Sequence, residues 1–143
     1  QPERGAALLR EAVEAEPQNL DLRLMYGRAL RDQRLLAEAA RQFAFIVQRK
    51  PEHKEAWSEL AGALIVLEQY PQALAALEKT KELGGESPAY FYFRAIILDK
   101  LRDLKAALEC YQKFLEVSRN LHPDEEFKAR QRIRIIQNEL GKR

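Results

Sequence analysis

Small and large side chains recur along the chain at a fixed step of 34 residues. One set of small residues at this step comprises Gly27, Ala61, Ala95 and Ala129, and a second comprises Gly5, Ala39, Ala73 and Ala107. A set of large residues keeps the same step, at Leu9, Phe43, Leu77 and Tyr111. A period of about 20 to 50 residues is the signature of repeat architectures, so the pattern predicts copies of one supersecondary unit.

The segment 56–77, AWSELAGALIVLEQYPQALAAL, indicates that each unit contains two helices. It consists of helix-forming residues, yet it holds the only Trp of the chain and a proline, Pro71. Proline fits the first turn of a helix, where its missing N–H costs nothing. We therefore expect residues 69–71 to turn the chain, with Pro71 in the first turn of the second helix. Helices cross closely only where a side chain is small, which explains Ala61 on the first helix and Ala73 on the second.

The unit resembles the tetratricopeptide repeat, whose signature is W-x2-L-G-x2-Y, then A-x3-F, then P. The matching residues are Tyr26, Gly27, Leu30, Ala39, Phe43 and Pro51 in the first full unit, Trp57, Leu60, Ala61, Leu64, Ala73 and Leu77 in the second, and Phe91, Ala95, Leu98, Ala107 and Tyr111 in the third. Arg94 and Arg119 depart from the Leu and Pro that the family prefers. The resemblance implies an all-α, right-handed superhelical solenoid of antiparallel helix pairs with a C-terminal capping helix.

We expect residues 1–143 to form a single array of these repeats. Its predicted parts are a half repeat at 2–17, full repeats at 20–53, 54–87 and 88–121, and a capping helix at 123–140. The half repeat lacks its first helix, so we interpret the chain as a fragment of a longer protein. The alternative is that another molecule supplies this helix, and we expect self-association through apolar surface around Leu8 and Leu9.

The composition agrees with an all-α protein, because Val occurs four times and Thr once. A net charge of +2 argues neither for nor against a polyanionic partner. The uncharged apolar run 62–67 is far shorter than the ~20 residues of a membrane span, so we expect no span. Nothing in the composition indicates a cellular location.

Residue types that serve catalysis or metal binding are scarce. His53 and His122 are expected in turns, and neither has another His or Cys at ligand spacing, so we predict no metal site. We interpret the single cysteine, Cys110, as a small half-buried helix residue rather than a reactive thiol. The sequence therefore predicts a protein that is not an enzyme and has no cofactor.

The final helix carries basic residues at alternate positions, namely Lys128, Arg130, Arg132 and Arg134. Only residues four apart share a face of a helix, so this spacing spreads the charge around the cylinder. Binding of nucleic acid or of an acidic protein through this helix is an alternative function, but the pattern favours a solvated surface.

The resemblance also implies a concave surface lined by the first helix of each repeat. The predicted partner-binding residues are Leu24, Arg28 and Arg31 in the first full repeat, Ser58, Gly62 and Ile65 in the second, and Tyr92, Ile96 and Asp99 in the third. This surface is expected to be basic at one end and apolar to aromatic at the other. The family's clamp for a C-terminal carboxylate does not match here, since Leu24, Arg28, Glu59, Ala89 and Phe93 occupy its positions.

The leading hypothesis is therefore a non-catalytic protein-interaction module, an adaptor or scaffold that presents a groove to a partner peptide or helix. A regulatory arm of a larger enzyme is a further alternative. The apolar end, around Ile65, Tyr92, Phe93 and Ile96, would need either a partner or the terminal helix to cover it.

Overall fold

The computed structural model describes residues 1–142, which contain eight α-helices and no strand. The helices are α1 (Pro2–Ala15), α2 (Leu20–Asp32), α3 (Leu36–Arg49), α4 (Lys54–Val66), α5 (Tyr70–Glu82), α6 (Pro88–Lys100), α7 (Leu104–Ser118) and α8 (Pro123–Gly141). Short turns join them, and each packed pair of consecutive helices is antiparallel. The predicted all-α class is confirmed.

The chain forms two compact units, which divide between Leu83 and Gly84. In the first unit α1 to α5 pack in chain order, each on the next, and α2 also touches α4. In the second unit α7 packs between α6 and α8. Division of the chain into a single array with the repeat limits given above stays a prediction.

The small residues of the 34-residue series are buried between helices, except Gly5, which is exposed and would have nothing within 4 Å of an added Cβ atom. Those with no exposed surface are Ala39, Ala61, Ala73, Ala95, Ala107 and Ala129. Gly27 is a closely packed position, since a Cβ atom there would lie 2.5 Å from Cε1 of the fully buried Phe43 ring. From Gly27 onwards, the spacing of small residues thus identified buried positions between helices.

Three helices begin with the same hydrogen bond made by three different residue types. Asn19, His53 and Ser87 lie one repeat step apart, and each accepts the backbone N–H of the third residue that follows. The acceptor atom of His53 is Nδ1, at 3.1 Å from the nitrogen of Ala56. Such caps satisfy a backbone donor that the helix leaves unpaired.

The turns inside the repeats also share one geometry. Arg34, Glu68 and Arg102 have φ values of 65°, 60° and 65°, in the left-handed region. In each turn the next residue donates its N–H to a carbonyl five positions back, with N···O distances of 2.9 Å at all three. The turn before α5 ends at Gln69, and Tyr70 is the first residue of that helix. The expectation that Tyr70 belongs to the turn is therefore wrong. Pro71 lies in the first helical turn, as predicted.

Trp57 has a specific role at the start of α4. Its indole Nε1 donates to the carbonyl of Pro51 at 2.7 Å, which ties the helix to the preceding turn. One repeat step earlier, Arg23 Nε donates to the carbonyl of Pro17 at 3.1 Å. The large side chain at this position therefore fastens the loop that leads into each of the two helices.

Candidate functional site

The nine predicted partner-binding residues are divided between the two units. Leu24, Arg28, Arg31, Ser58, Gly62 and Ile65 belong to the first unit, and Tyr92, Ile96 and Asp99 belong to the second. Leu24 and Asp99 are buried, and the others are partly exposed.

In the first unit Arg28 and Arg31 converge on a single carboxylate. Arg28 Nε lies 2.7 Å from Glu59 Oε2, and Arg31 Nη1 lies 2.6 Å from Glu59 Oε1. Glu55 and Asp32 each form a further ion pair with one of these arginines. The pKa of Arg28 is raised chiefly by its hydrogen bond to Glu59 and lowered in part by burial.

This network corrects the expected charge of the surface. Two guanidinium groups face three carboxylates. The end of the partner-binding surface that was predicted to be basic therefore has no unbalanced positive charge. The pairs join α2 to α4 and fix the arginine side chains. Exposed pairs of this kind contribute about 0 to 1 kcal/mol each to stability.

In the second unit a pocket of about 480 Å³ opens beside α6 and α8. Its lining residues are Tyr92, Ile96, Asp99, Lys100, Arg102, Tyr111, Lys128, Gln131 and Arg132. Tyr92 packs on Phe114 of α7, with ring centroids 4.9 Å apart. Helix α7 therefore covers part of the aromatic surface, and the pocket is the part left open.

Asp99 forms the fixed polar group of this pocket. Its two carboxylate oxygens accept hydrogen bonds from Arg132 Nε at 2.7 Å and Nη2 at 2.8 Å. Tyr111 donates its hydroxyl to Asp99 Oδ2 at 3.0 Å. Burial and then the charge of Asp99 raise the pKa of Tyr111, so the phenol remains a donor at neutral pH. This bidentate contact joins α8 to α6 and leaves Asp99 satisfied without a ligand.

Two lysines supply the unbalanced charge of the pocket. Lys100 and Lys128 are exposed, and within residues 1–142 neither makes an ion pair. Arg102, in contrast, pairs with Glu139. The pocket thus combines apolar walls from Tyr92 and Ile96 with two free ammonium groups.

Comparison with known families identifies the fold. Two models of the tetratricopeptide repeat match the chain, one over residues 1–45 and the other over residues 30–97. The chain belongs to the tetratricopeptide repeat family. A sequence search of curated proteins gives no significant match to this tetratricopeptide repeat chain.

Solved structures support the same fold for the tetratricopeptide repeat chain. The crystal structure of MamA protein is 20% identical, has a TM-score of 0.83, and the match covers 95% of this chain and 72% of that one. A MamA chain from Desulfovibrio magneticus RS-1 is 19% identical, with a TM-score of 0.77 and coverage of 96% and 84%. YrrB is 21% identical, with a TM-score of 0.77 and coverage of 95% and 68%. At these identities the likeness establishes the fold.

Other candidate residues of the tetratricopeptide repeat chain have structural roles. Arg132 is engaged by Asp99, so the four basic residues of α8 do not act as one stripe. Cys110 is buried, and Arg94 Nη1 lies 3.0 Å from its sulfur.

No group of three metal-binding side chains occurs in the described part of the chain. No helix there is long and apolar enough to span a membrane.

One polar cluster was missed by the sequence reasoning. The Ser118 hydroxyl donates to Glu126, and His122 Nδ1 lies 2.9 Å from the same hydroxyl oxygen. The Ser118 hydrogen bond lowers the pKa of Glu126, burial opposes this effect, and the backbone N–H of His122 adds to it. Ser118 has no exposed surface, so its hydroxyl cannot reach a substrate, and the cluster joins α7 to α8. Its eight-residue spacing resembles no motif.

Proposed function

We propose that this chain is a non-catalytic protein-interaction module that binds a segment of a partner protein. The observation that carries the proposal is the pocket beside α6 and α8. Its volume of about 480 Å³ suits one or two side chains of a peptide rather than a whole domain.

The walls of the pocket indicate what such a segment would contain. Tyr92 and Ile96 offer apolar contact area to a hydrophobic anchor, and aromatic side chains often dominate binding energy at such sites. Lys100 and Lys128 have no carboxylate partner among residues 1–142, so an acidic side chain next to the anchor would gain charge-assisted hydrogen bonds. Asp99 is held by Arg132 and Tyr111, which keeps the floor of the pocket rigid before binding.

We further propose that the first unit offers a separate contact surface. It comprises Leu24, Arg28, Arg31, Ser58, Gly62 and Ile65. Because Arg28 and Arg31 already pair with Glu59, an acidic partner would have to compete for them, and we expect their contribution to be small. The partly exposed Ile65 is the better candidate for direct contact.

The relative YrrB supports the kind of ligand. It is described as a TPR protein with an unusual peptide-binding site. We propose a peptide ligand for this chain as well, with a dissociation constant of roughly 1–100 μM for one short segment.

The test is capture of partners from a lysate by the wild-type chain, followed by titration of the captured segment as a peptide. Lys100→Glu and Lys128→Glu reverse exposed charges at the pocket, and Lys105→Glu on α7 is the matched control outside it. We expect the first two to weaken binding at least about tenfold, with the control unchanged. Tyr92→Ala should weaken binding by at least ~1 kcal/mol. Equal affinity of all four variants and the wild type would refute the pocket as the binding site.

A further inference from the structure

Phe45 of α3 lies between two arginine side chains. The guanidinium carbon of Arg23 is 3.7 Å from the ring centroid, and that of Arg49 is 3.4 Å away. Two stacked guanidinium groups cannot occupy one face of a ring at these distances, so they lie on opposite faces. Their carbons are therefore up to about 7 Å apart, with the phenyl ring as a spacer.

Neutral groups hold both guanidinium groups in place. Arg23 donates to the carbonyl of Pro17 at 3.1 Å and to Gln42 Oε1 at 3.0 Å. Arg49 donates from Nε to Gln18 Oε1 at 3.0 Å. Within residues 1–142 neither arginine pairs with a carboxylate. The pKa of Arg23 is lowered, first by burial and second by the charge of Arg49, as expected for two like charges without a counterion.

The repeat itself shows that packing does not require two cations here. In the next two repeats the positions equivalent to Arg23 hold Trp57 and Phe91. The positions equivalent to Arg49 hold Leu83 and Val117. In the third repeat Phe91 receives one cation, the Lys113 ammonium, 6.0 Å from its centroid. Both arginines thus replace apolar residues, and the second charge has no counterpart in the other repeats.

We propose that Arg23 and Arg49 form a binding site for a phosphate monoester dianion, carried by a phosphorylated side chain of a partner. Charge-assisted N–H···O contacts are about 2.7–2.9 Å long, so one tetrahedral oxyanion at the edge of the ring can reach both guanidinium groups. A phosphorylated side chain carries a charge of about −1.5 to −2 and matches the two cations. Nη2 of Arg23 and both Nη atoms of Arg49 have no hydrogen-bond acceptor in the described part of the chain, which leaves them for the ligand.

This site lies in the first unit and does not depend on the pocket of the second. Its residues are exposed or partly exposed, so a ligand can approach from solvent. Phe45 contributes to the phosphate site in two ways. Its ring sets the distance between the two guanidinium charges and keeps water from one side of each guanidinium group.

The experiment is an NMR titration of the full chain that observes the arginine Nε–Hε signals. Inorganic phosphate and a phosphoserine peptide are added separately, with sodium chloride at matched ionic strength as the reference. We expect saturable shifts at Arg23 and Arg49, weaker by at least about fivefold at pH ~5, where phosphate is mainly a monoanion. The unphosphorylated peptide should cause no shift at these signals.

Variants assign the effect to the pair. Arg23→Gln and Arg49→Gln should each weaken phosphate binding at least about fivefold, whereas Arg41→Gln removes the same charge from an exposed position of α3 and should change it by less than about twofold. Phe45→Leu keeps both charges but removes the spacer and should also weaken binding. Equal shifts at all exposed arginines, or binding of inorganic phosphate without binding of the phosphoserine peptide, would overturn the proposal.

Discussion

Addition of one methyl group at Gly27 tests how tightly α2 and α3 are packed. The new Cβ would lie 2.5 Å from Cε1 and 2.9 Å from Cζ of Phe43. Carbon atoms in contact are normally about 3.5–4.0 Å apart, so either the ring or the helix must shift. Phe43 has no exposed surface, so its ring cannot relieve the clash by turning into solvent.

Two effects of opposite sign determine the result of Gly27→Ala. Alanine is about 1 kcal/mol more favourable than glycine inside a helix. Excess volume in a packed core costs typically about 1–3 kcal/mol, and a contact as short as this one belongs in the upper part of that range. We expect net destabilisation of about 1–2 kcal/mol.

The second repeat indicates a compensating change. There the same two positions hold Ala61 and Leu77, both almost fully buried. Phe43→Leu alone should destabilise, because it removes buried volume. Combined with Gly27→Ala it reproduces the Ala–Leu pair, so we expect the double variant to be more stable than the sum of the single changes by about 1–2 kcal/mol.

The assay is urea unfolding of these four proteins, followed by the fluorescence of Trp57. This residue is the only Trp and lies in the first unit, so its signal reports unfolding of the part of the chain that contains the substitutions. If Gly27→Ala stabilises the protein with Phe43 present, the ring yields at little cost and the argument from close packing is wrong.

Three further predictions follow from buried or uncovered groups. Ala61→Leu or Ala73→Leu should destabilise by about 1–3 kcal/mol, since both side chains are fully buried at helix crossings, and unchanged thermal melting of both would contradict this. A carboxylate whose pKa is lowered by folding stabilises the fold above its unfolded pKa and loses that effect as pH falls through the folded pKa. The free energy of unfolding of the wild type should therefore decrease below pH 4.5, the ordinary pKa of Glu126. In Ser118→Ala, measured by acid unfolding, this decrease should be shallower, because the hydrogen bond that lowers the pKa of Glu126 is lost. Leu8 is 60% exposed on α1, and Leu8→Lys should reduce self-association in sedimentation experiments; a wild-type chain that stays monomeric at high concentration would refute this.

The repeat register could be derived from sequence because a small residue at a helix crossing is a strict steric requirement. Beside Phe43 only Gly fits at position 27 without a clash, Ala61 and Ala95 are fully buried, and the requirement for a small residue recurs at each step. The same register would have identified His53 as a helix cap, because Asn19 and Ser87, one step before and after it, are common capping residues.

The state of the candidate site could not be derived in this way. Helical spacing placed Arg28 and Arg31 on one stripe but could not reveal that Glu59, about 30 residues later, would balance their charge. Likewise, Asp99 meets Arg132 only because α6 and α8 both pack against α7. Charge balance depends on side chains brought together from distant parts of the chain, and periodicity does not carry that information.

The common backbone of the turns at Arg34, Glu68 and Arg102 has a consequence for how such a chain can evolve. Each junction ends one helix and starts the next with the same dihedral angle and the same hydrogen bond, and none uses glycine. Duplication or deletion of a whole 34-residue segment would therefore reproduce an existing junction rather than create a new one. Gene rearrangement can thus change the number of repeats by whole units without requiring a new turn geometry.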